Sequence, residues 1–213
     1  MTVIKHSNQR VGIFIDTQNL YHSAKHLHGS RVDFAAILHE AVAGRQLIRA
    51  LAYVITTPNG SENSFFNALN QLGIEVRKKE FQEHGPEFKR TSWDVEITLD
   101  AIRMASRLDA IIIVSGDGSF APLVEHLKSQ TGIQIEVMAF GRSCSMRLRE
   151  YADDFFDLSE NPDKYLMANP RREKRLREWE SYGGSRLQEE IVIVDPSAGP
   201  EDGDTTTRRA FAL

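Results

Sequence analysis

Two aspartates stand directly behind short apolar runs: Asp16 after "VGIFI" (residues 11–15), and Asp117 in the turn "SGDGSF" that follows "AIIIV" (residues 110–114). In an open parallel sheet, ligands bind beyond the carboxyl ends of the strands, where loops converge and helix N-termini point. Chain connectivity puts both aspartates at that edge. If their strands are neighbours, two carboxylates face each other with no lysine near them in sequence, which is costly unless a cation lies between them. An all-oxygen set of this kind suits Mg²⁺ or Mn²⁺. Asn19 follows Asp16 by three residues and can turn its amide back to the same spot from the start of a helix. Asp94 opens a later helix whose N-terminus can reach the sheet edge. Asp100, six residues on, falls on a different helical face, so at most one of this pair is a direct ligand; we prefer Asp94, with Asp100 behind it. Each aspartate alone reads equally well as a turn former or helix cap, and it is the set of three that argues for a site.

The turn itself supports two opposite chemistries. "GDGSFA" fits G-x-G-x-x-G/A, a phosphate cradle, and Glu136 lies about twenty positions further on, as a dinucleotide site would require. Asp117, however, would lie against the pyrophosphate, and Glu136 falls inside a strand, so we expect no dinucleotide. Gly116 and Gly118 then read as space for Asp117 and the backbone to crowd a metal. A haloacid-type phosphatase needs a second acid two residues after the first; that position is Gln18. His22 and His26 stand at i, i+4, but without the Glu of H-E-x-x-H they describe a solvated helix face. Of the basic residues, Lys89, Arg90 and Arg142 are candidates to flank the acidic pocket as phosphate contacts.

These residues need a scaffold, and the chain offers alternating strands and helices. Strand character over 11–16, 47–55, 74–81, 110–115 and 133–140 alternates with helical stretches, which predicts a mainly parallel sheet covered on both faces. Asp33 is a candidate N-cap, Asn59 and Gly60 open a helix that Gly73 closes, and Pro122 sits in the first turn of another. The segment "SWDVEITLDAIRMASRL" is amphipathic, with Val95, Leu99 and Ile102, joined by Trp93 and Met104, on one helical stripe. A helix over 143–153 and a short "FFDL" segment end the series.

After Leu158 the pattern changes to a charged segment, "RREKRLRE", and a tail rich in Pro, Gly, Asp and Thr. The domain edge is placed near residue 160, leaving 161–213 as a C-terminal extension, a charged helix and then a disordered tail, through which a protein partner or second copy could be held. The 213 residues suffice for one substantial domain, and 41% apolar with 26% charged residues excludes disorder as the state of the whole chain. A formal charge of −4 provides no global field for indiscriminate nucleic-acid binding. A single cysteine excludes an internal disulfide. The N-terminus has no apolar signal core and no run spans a bilayer, so the expected setting is the cytoplasm, away from membrane.

The blocks "FIDTQNLYHSAK", "SWDVEITLDAI", "IIIVSGDGSFAPLVEHLK" and "SMRLREYADDFFDL" occur in this order over roughly residues 10–158, and the chain resembles the NYN domains of the LabA-like group, relatives of the PIN nucleases. The resemblance implies a PIN-like three-layer α/β/α sandwich over residues 1–160, a divalent metal held by strand-end aspartates, and metal-dependent cleavage of RNA. It maps the metal-binding and catalytic aspartates onto Asp16, Asp94 and Asp117, with Asn19, Asp100, Ser115 and Ser119 supporting them. One position departs from the pattern: many relatives carry an acid two residues after the turn aspartate, where this chain has Ser119. A second expectation follows from that departure, a non-cleaving NYN-fold module that binds RNA or a protein.

Overall fold

The first strand, β1 (Arg10–Asp16), is buried on both faces from Val11 onward, as its unbroken apolar run requires, and lies inside the sheet. The computed structural model describes residues 3–56, 63–80 and 92–167. With β2 (Gln46–Thr56), β3 (Ile74–Glu80), β4 (Ala110–Val114), β5 (Gln134–Ala139) and β6 (Asp154–Asp157), it forms a six-stranded sheet in the order β3-β2-β1-β4-β5-β6. Every neighbouring pair is parallel. The chain winds outward from β1 to β3, then crosses back to place β4 against β1, with Ile15 beside Val114. Strand order therefore reverses between β1 and β4, and a crevice opens beyond their carboxyl ends.

Helices cover both faces, completing three layers. Against one face lie α1 (Thr17–His28), α2 (Phe34–Val42), α3 (Asn63–Gln71) and the single turn α7 (Pro162–Tyr165), burying Leu20, Ile37, Leu69 and Tyr165 on Ile13, Ile15 and Ile112. Against the other lie α4 (Asp94–Ala105), α5 (Ala121–Thr131) and α6 (Met146–Tyr151), burying Ile97, Leu123 and Leu148 on Phe14, Leu51 and Ile113. Alternate residues of β1 thus feed different cores. Each fully buried aliphatic side chain contributes about 1.5–3 kcal/mol. Asp33 caps α2 as expected, accepting from Ala36 N at 3.0 Å, and Gly73 ends α3 at φ +79°. Asn59 and Gly60 lie outside the described residues.

The apolar stripe expected on α4 is corrected. Ile97, Ala101 and Ala105 face the core together with Trp93, whereas Val95, Leu99 and Ile102 are 66%, 44% and 40% exposed. Both sets recur at helical spacing, so period alone does not choose between them. Burying the alanines lets α4 lie close on the sheet, and it has a consequence for Asp94. That residue lies three before Ile97 and seven before Ala101, on the same face, so the rotation that buries them turns Asp94 toward the sheet.

The helix expected over 143–153 is shorter. Residues 141–143 form a separate 3₁₀ turn, and Ser145 N donates to Gly116 O at 2.9 Å, tying the approach to α6 to the turn that follows β4. Past residue 160, the edge drawn from the sequence, the chain still packs on the core: Tyr165 and Leu166 are buried, and Leu166 bridges to Val32. The charged segment and the tail beyond it lie outside the described residues.

Candidate functional site

Asp16 ends β1 and caps α1 at once. Its Oδ1 accepts from Asn19 N at 3.0 Å, and its Oδ2 accepts from the Ser115 hydroxyl at 3.1 Å. Ser115 is fully buried one residue past β4, and its Oγ also accepts from Asp117 N at 3.1 Å. One hydroxyl therefore joins the ends of β1 and β4. Asn19 adds a second tie, its Oδ1 accepting from Gly116 N at 2.9 Å. Asp117 bends back to accept from Ser119 N at 2.9 Å, which closes the turn that leads into α5.

Asp94 completes the group from the first turn of α4. Burial holds the Asp16 carboxyl above the ordinary carboxylate range against the pull of its Asn19 and Ser115 hydrogen bonds, and the charges of Asp117 and Asp94 push it further up. Burial and then Asp117 do the same to Asp94, while the hydroxyls of Ser92 and Ser119 pull the other way. Three carboxylates from β1, α4 and the β4–α5 turn therefore sit within one another's fields at the crevice. The sequence profile of the NYN domain matches residues 10–159.

The chain belongs to the NYN domain family. Its sequence is 29% identical over 160 residues to the low amplitude and bright protein LabA of Synechococcus elongatus, covering 71% of this chain and 84% of that protein. A crystal structure of a protein of unknown function from Vibrio parahaemolyticus is 29% identical and superposes with a TM-score of 0.70, over 78% of this chain and 100% of the other.

This NYN domain offers a hard divalent cation oxygen donors and an excess of negative charge, which is the chemistry Mg²⁺ or Mn²⁺ selects. Among the described residues no three Asp, Glu, His or Cys side chains converge tightly enough to enclose an ion by themselves. A cation held by Asp16, Asp94 and Asp117 would thus take part of its coordination from water, as Mg²⁺ commonly does. The donor set fits on those terms.

Other residues named from the sequence fall at different distances from this cluster. Asp100 is drawn to the Tyr53 hydroxyl, which donates to it at 2.9 Å, and to Arg103 at 3.8 Å; it does not join the three carboxylates. Asn19 spends its amide oxygen on Gly116 N. Ser119 is exposed and hydrogen-bonded to Asp94. Arg142 is exposed on the 3₁₀ turn beyond β5, and that turn is fixed by Asp157, whose Oδ1 accepts from Gly141 N at 2.7 Å. Lys89 and Arg90 lie outside the described residues.

What crowds Gly116 and Gly118 is the 143–145 segment. A Cβ on Gly116 would stand 2.8 Å from Ser143 O, and one on Gly118 would stand 2.7 Å from Ser145 Oγ. Gly116→Ala is expected to cost about 1–3 kcal/mol, because backbone must move to admit it, and a denaturant midpoint measurement would read this directly.

Two further residues position the site without any signal in the sequence. Lys79, at the end of β3, donates to Ser92 O at 3.1 Å and pairs with Glu96 at 2.9 Å, holding the start of α4 and hence Asp94. Tyr53, paired in register with Asp16, is fully buried against Trp93, and its carbonyl accepts from the Thr17 hydroxyl at 2.6 Å. Burial and the neighbouring Asp100 push the Tyr53 phenol well above its ordinary value, so it stays a neutral donor.

Proposed function

We propose that this domain is a metal-dependent ribonuclease that hydrolyses RNA phosphodiesters with Mg²⁺ or Mn²⁺ held by Asp16, Asp94 and Asp117. The observation that carries the reading is the convergence of Asp16, Asp94 and Asp117 at the β1–β4 crevice, where the charge of Asp117 bears on the other two and Ser115 and Asn19 tie the strand ends together. When bound, a divalent cation supplies Lewis acidity toward the phosphate and toward the attacking water. The chain's own part is to orient. Ser115 fixes the Asp16 carboxylate and the Asp117 backbone together, Lys79 fixes the entry to α4, and Arg142 offers a positive contact to a phosphate oxygen.

A covalent protein intermediate is not part of this reading. The one thiol, Cys144, is pushed up to about 11 by burial, and a thiol so protonated is a poor nucleophile. Water attacks phosphorus, and the bridging oxygen leaves. Among the described residues no helix is long and apolar enough to cross a membrane; we place the substrate RNA in the cytoplasm.

The test is cleavage of single-stranded RNA in Mg²⁺ or Mn²⁺, with Asp16→Asn and Asp117→Asn as controls. Both variants lose cleavage on this account; unchanged cleavage by both would sink it.

A second reading, a module that binds RNA or a protein without cutting, draws on one observation. Ser119 stands where the resemblance calls for an acid, and its hydroxyl is hydrogen-bonded to Asp94. Ser119→Asp replaces that hydroxyl with a fourth charge. The expected outcome is Mn²⁺ affinity raised about tenfold or more, with a lower metal-free melting temperature, read by calorimetry and thermal unfolding.

A further inference from the structure

The first turns of α1, which follow Asp16, line a cavity of about 780 Å³. Its walls come from α1, the start of α2, the end of β2 and α3, and its lining is mainly apolar and aromatic, with Tyr21, Phe34, Phe65 and Leu69 prominent. The volume lies in the range of small-ligand sites, and a mainly apolar lining with a few polar groups is their usual chemistry. Thr17 and Gln18, which also line it, follow Asp16 directly. Asp16 is in register with Tyr53, so the lining residues Val54 and Ile55 are the next two of β2. The cavity therefore opens at the same sheet edge as the carboxylates.

Its mouth carries cations as well as aromatic rings, and the acid among the lining residues, Asp33, is engaged in capping α2, where it accepts from Ala36 N. Tyr21 is 46% exposed, the Lys25 ammonium stands 5.6 Å from its ring centre, His22 packs edge-on to it at 5.5 Å, and Arg31 is exposed on the rim. Phe34 and Phe65 form a tilted pair at 5.5 Å behind them. Aromatic faces interleaved with cations are what an unpaired nucleotide needs: stacking for the base and charge for its phosphate. An apolar peptide would have no use for the charges.

We propose that this cavity receives an unpaired base of an RNA strand whose neighbouring phosphate lies at Asp16, Asp94 and Asp117. The proposal rests on the ribonuclease reading and adds a subsite to it: a pocket walled by α1, α2, α3 and the end of β2 that holds one base next to the cut. Duplex RNA cannot present a base this way without unpairing it.

The test uses the full chain and two fluorescein-labelled RNA octamers, one complete and one with abasic riboses throughout, their binding followed by anisotropy in Ca²⁺. Two variants accompany the wild type: Tyr21→Ala, which removes a stacking face, and Ala68→Trp, which places an indole in the cavity from an exposed helical position. The wild type should bind the complete octamer about tenfold more tightly than the abasic one. Both variants should lose that preference while keeping their affinity for the abasic octamer and their melting temperature. Equal binding of the two octamers by a wild type that still cleaves RNA would overturn the base pocket and leave the ribonuclease reading standing. Binding of neither octamer would overturn both. Retention of the preference by both variants, or a change in sedimenting mass in place of a change in preference, would also overturn it, the latter marking this face as a contact between copies.

Discussion

Asp16→Asn is expected to make the metal-free protein more stable while removing its capacity for a divalent cation. Asp16 is 8% exposed, and its carboxyl is held above the ordinary range by burial, with Asp117 and Asp94 adding to the rise. A raised carboxyl means that the folded state binds the proton more tightly than the unfolded state does. The ionised form therefore costs stability at pH values above the unfolded range, and the cost disappears as pH falls through the folded value. Asparagine has no such cost at any pH and keeps the Oδ1 acceptor for Asn19 N, while its amide nitrogen must donate to Ser115 Oγ where the carboxylate accepted from it, which offsets part of the gain. The expected gain is about 0.5–2 kcal/mol at pH 7–8, shrinking toward acid, read by thermal or urea unfolding in EDTA. The wild type should gain about 2.7 kcal/mol from Mn²⁺ at a hundred times its dissociation constant, and the variant about 0.4 kcal/mol or less at the same concentration. Because protons compete for Asp16 and Asp94, wild-type Mn²⁺ affinity should also fall as pH is lowered.

Arg45→Met should produce the largest loss of stability. The Arg45 side chain is fully buried, its Nη1 and Nη2 donate to Glu136, and Nη2 also donates to Ala41 O at 2.7 Å. Glu136 lies in β5 at 6% exposure, and Lys5 approaches it at 3.1 Å from the N-terminal segment. Removing the guanidinium leaves a buried carboxylate with the Gln134 amide, which donates to it at 2.7 Å, and one partly exposed ammonium in place of a bidentate charged partner. Breaking a buried pair from one side costs about 3–5 kcal/mol. Arg45→Met combined with Glu136→Leu should recover much of it, because no uncompensated charge then remains. Both proteins can be compared by urea unfolding, and a single variant as stable as the wild type would show that the pair carries no such weight.

The carboxylate edge was legible because continuous apolar runs that end in Asp16 and in the Ser115–Asp117 turn mark strand ends without any knowledge of their neighbours. The alternation of elements carried the layers as well, and once β1 and β4 pair, the crevice follows. The buried face of α4 was not legible: Val95, Leu99 and Ile102 are larger and more apolar than Ala101 and Ala105, yet close approach to the sheet selects the small residues. Partners far apart in sequence left no local trace either. Lys79 reads as one basic residue of three, and only the fold reveals that it clamps the start of α4. Gly116 and Gly118 could be recognised as places of close approach, but the segment approaching them comes from beyond β5. Asp100 shows the limit of helical spacing, which separates it from Asp94 and cannot name Tyr53 as its partner.

Metal-dependent cleavage by this domain requires that Asp16, Asp94 and Asp117 act as a single cation site. Isothermal titration of Mn²⁺ into the wild type, Asp16→Asn, Asp94→Asn and Asp117→Asn tests it most directly. The account predicts one ion per chain for the wild type and a loss of affinity of about a hundredfold or more in each variant. Mn²⁺ binding that is the same in all four proteins would contradict it.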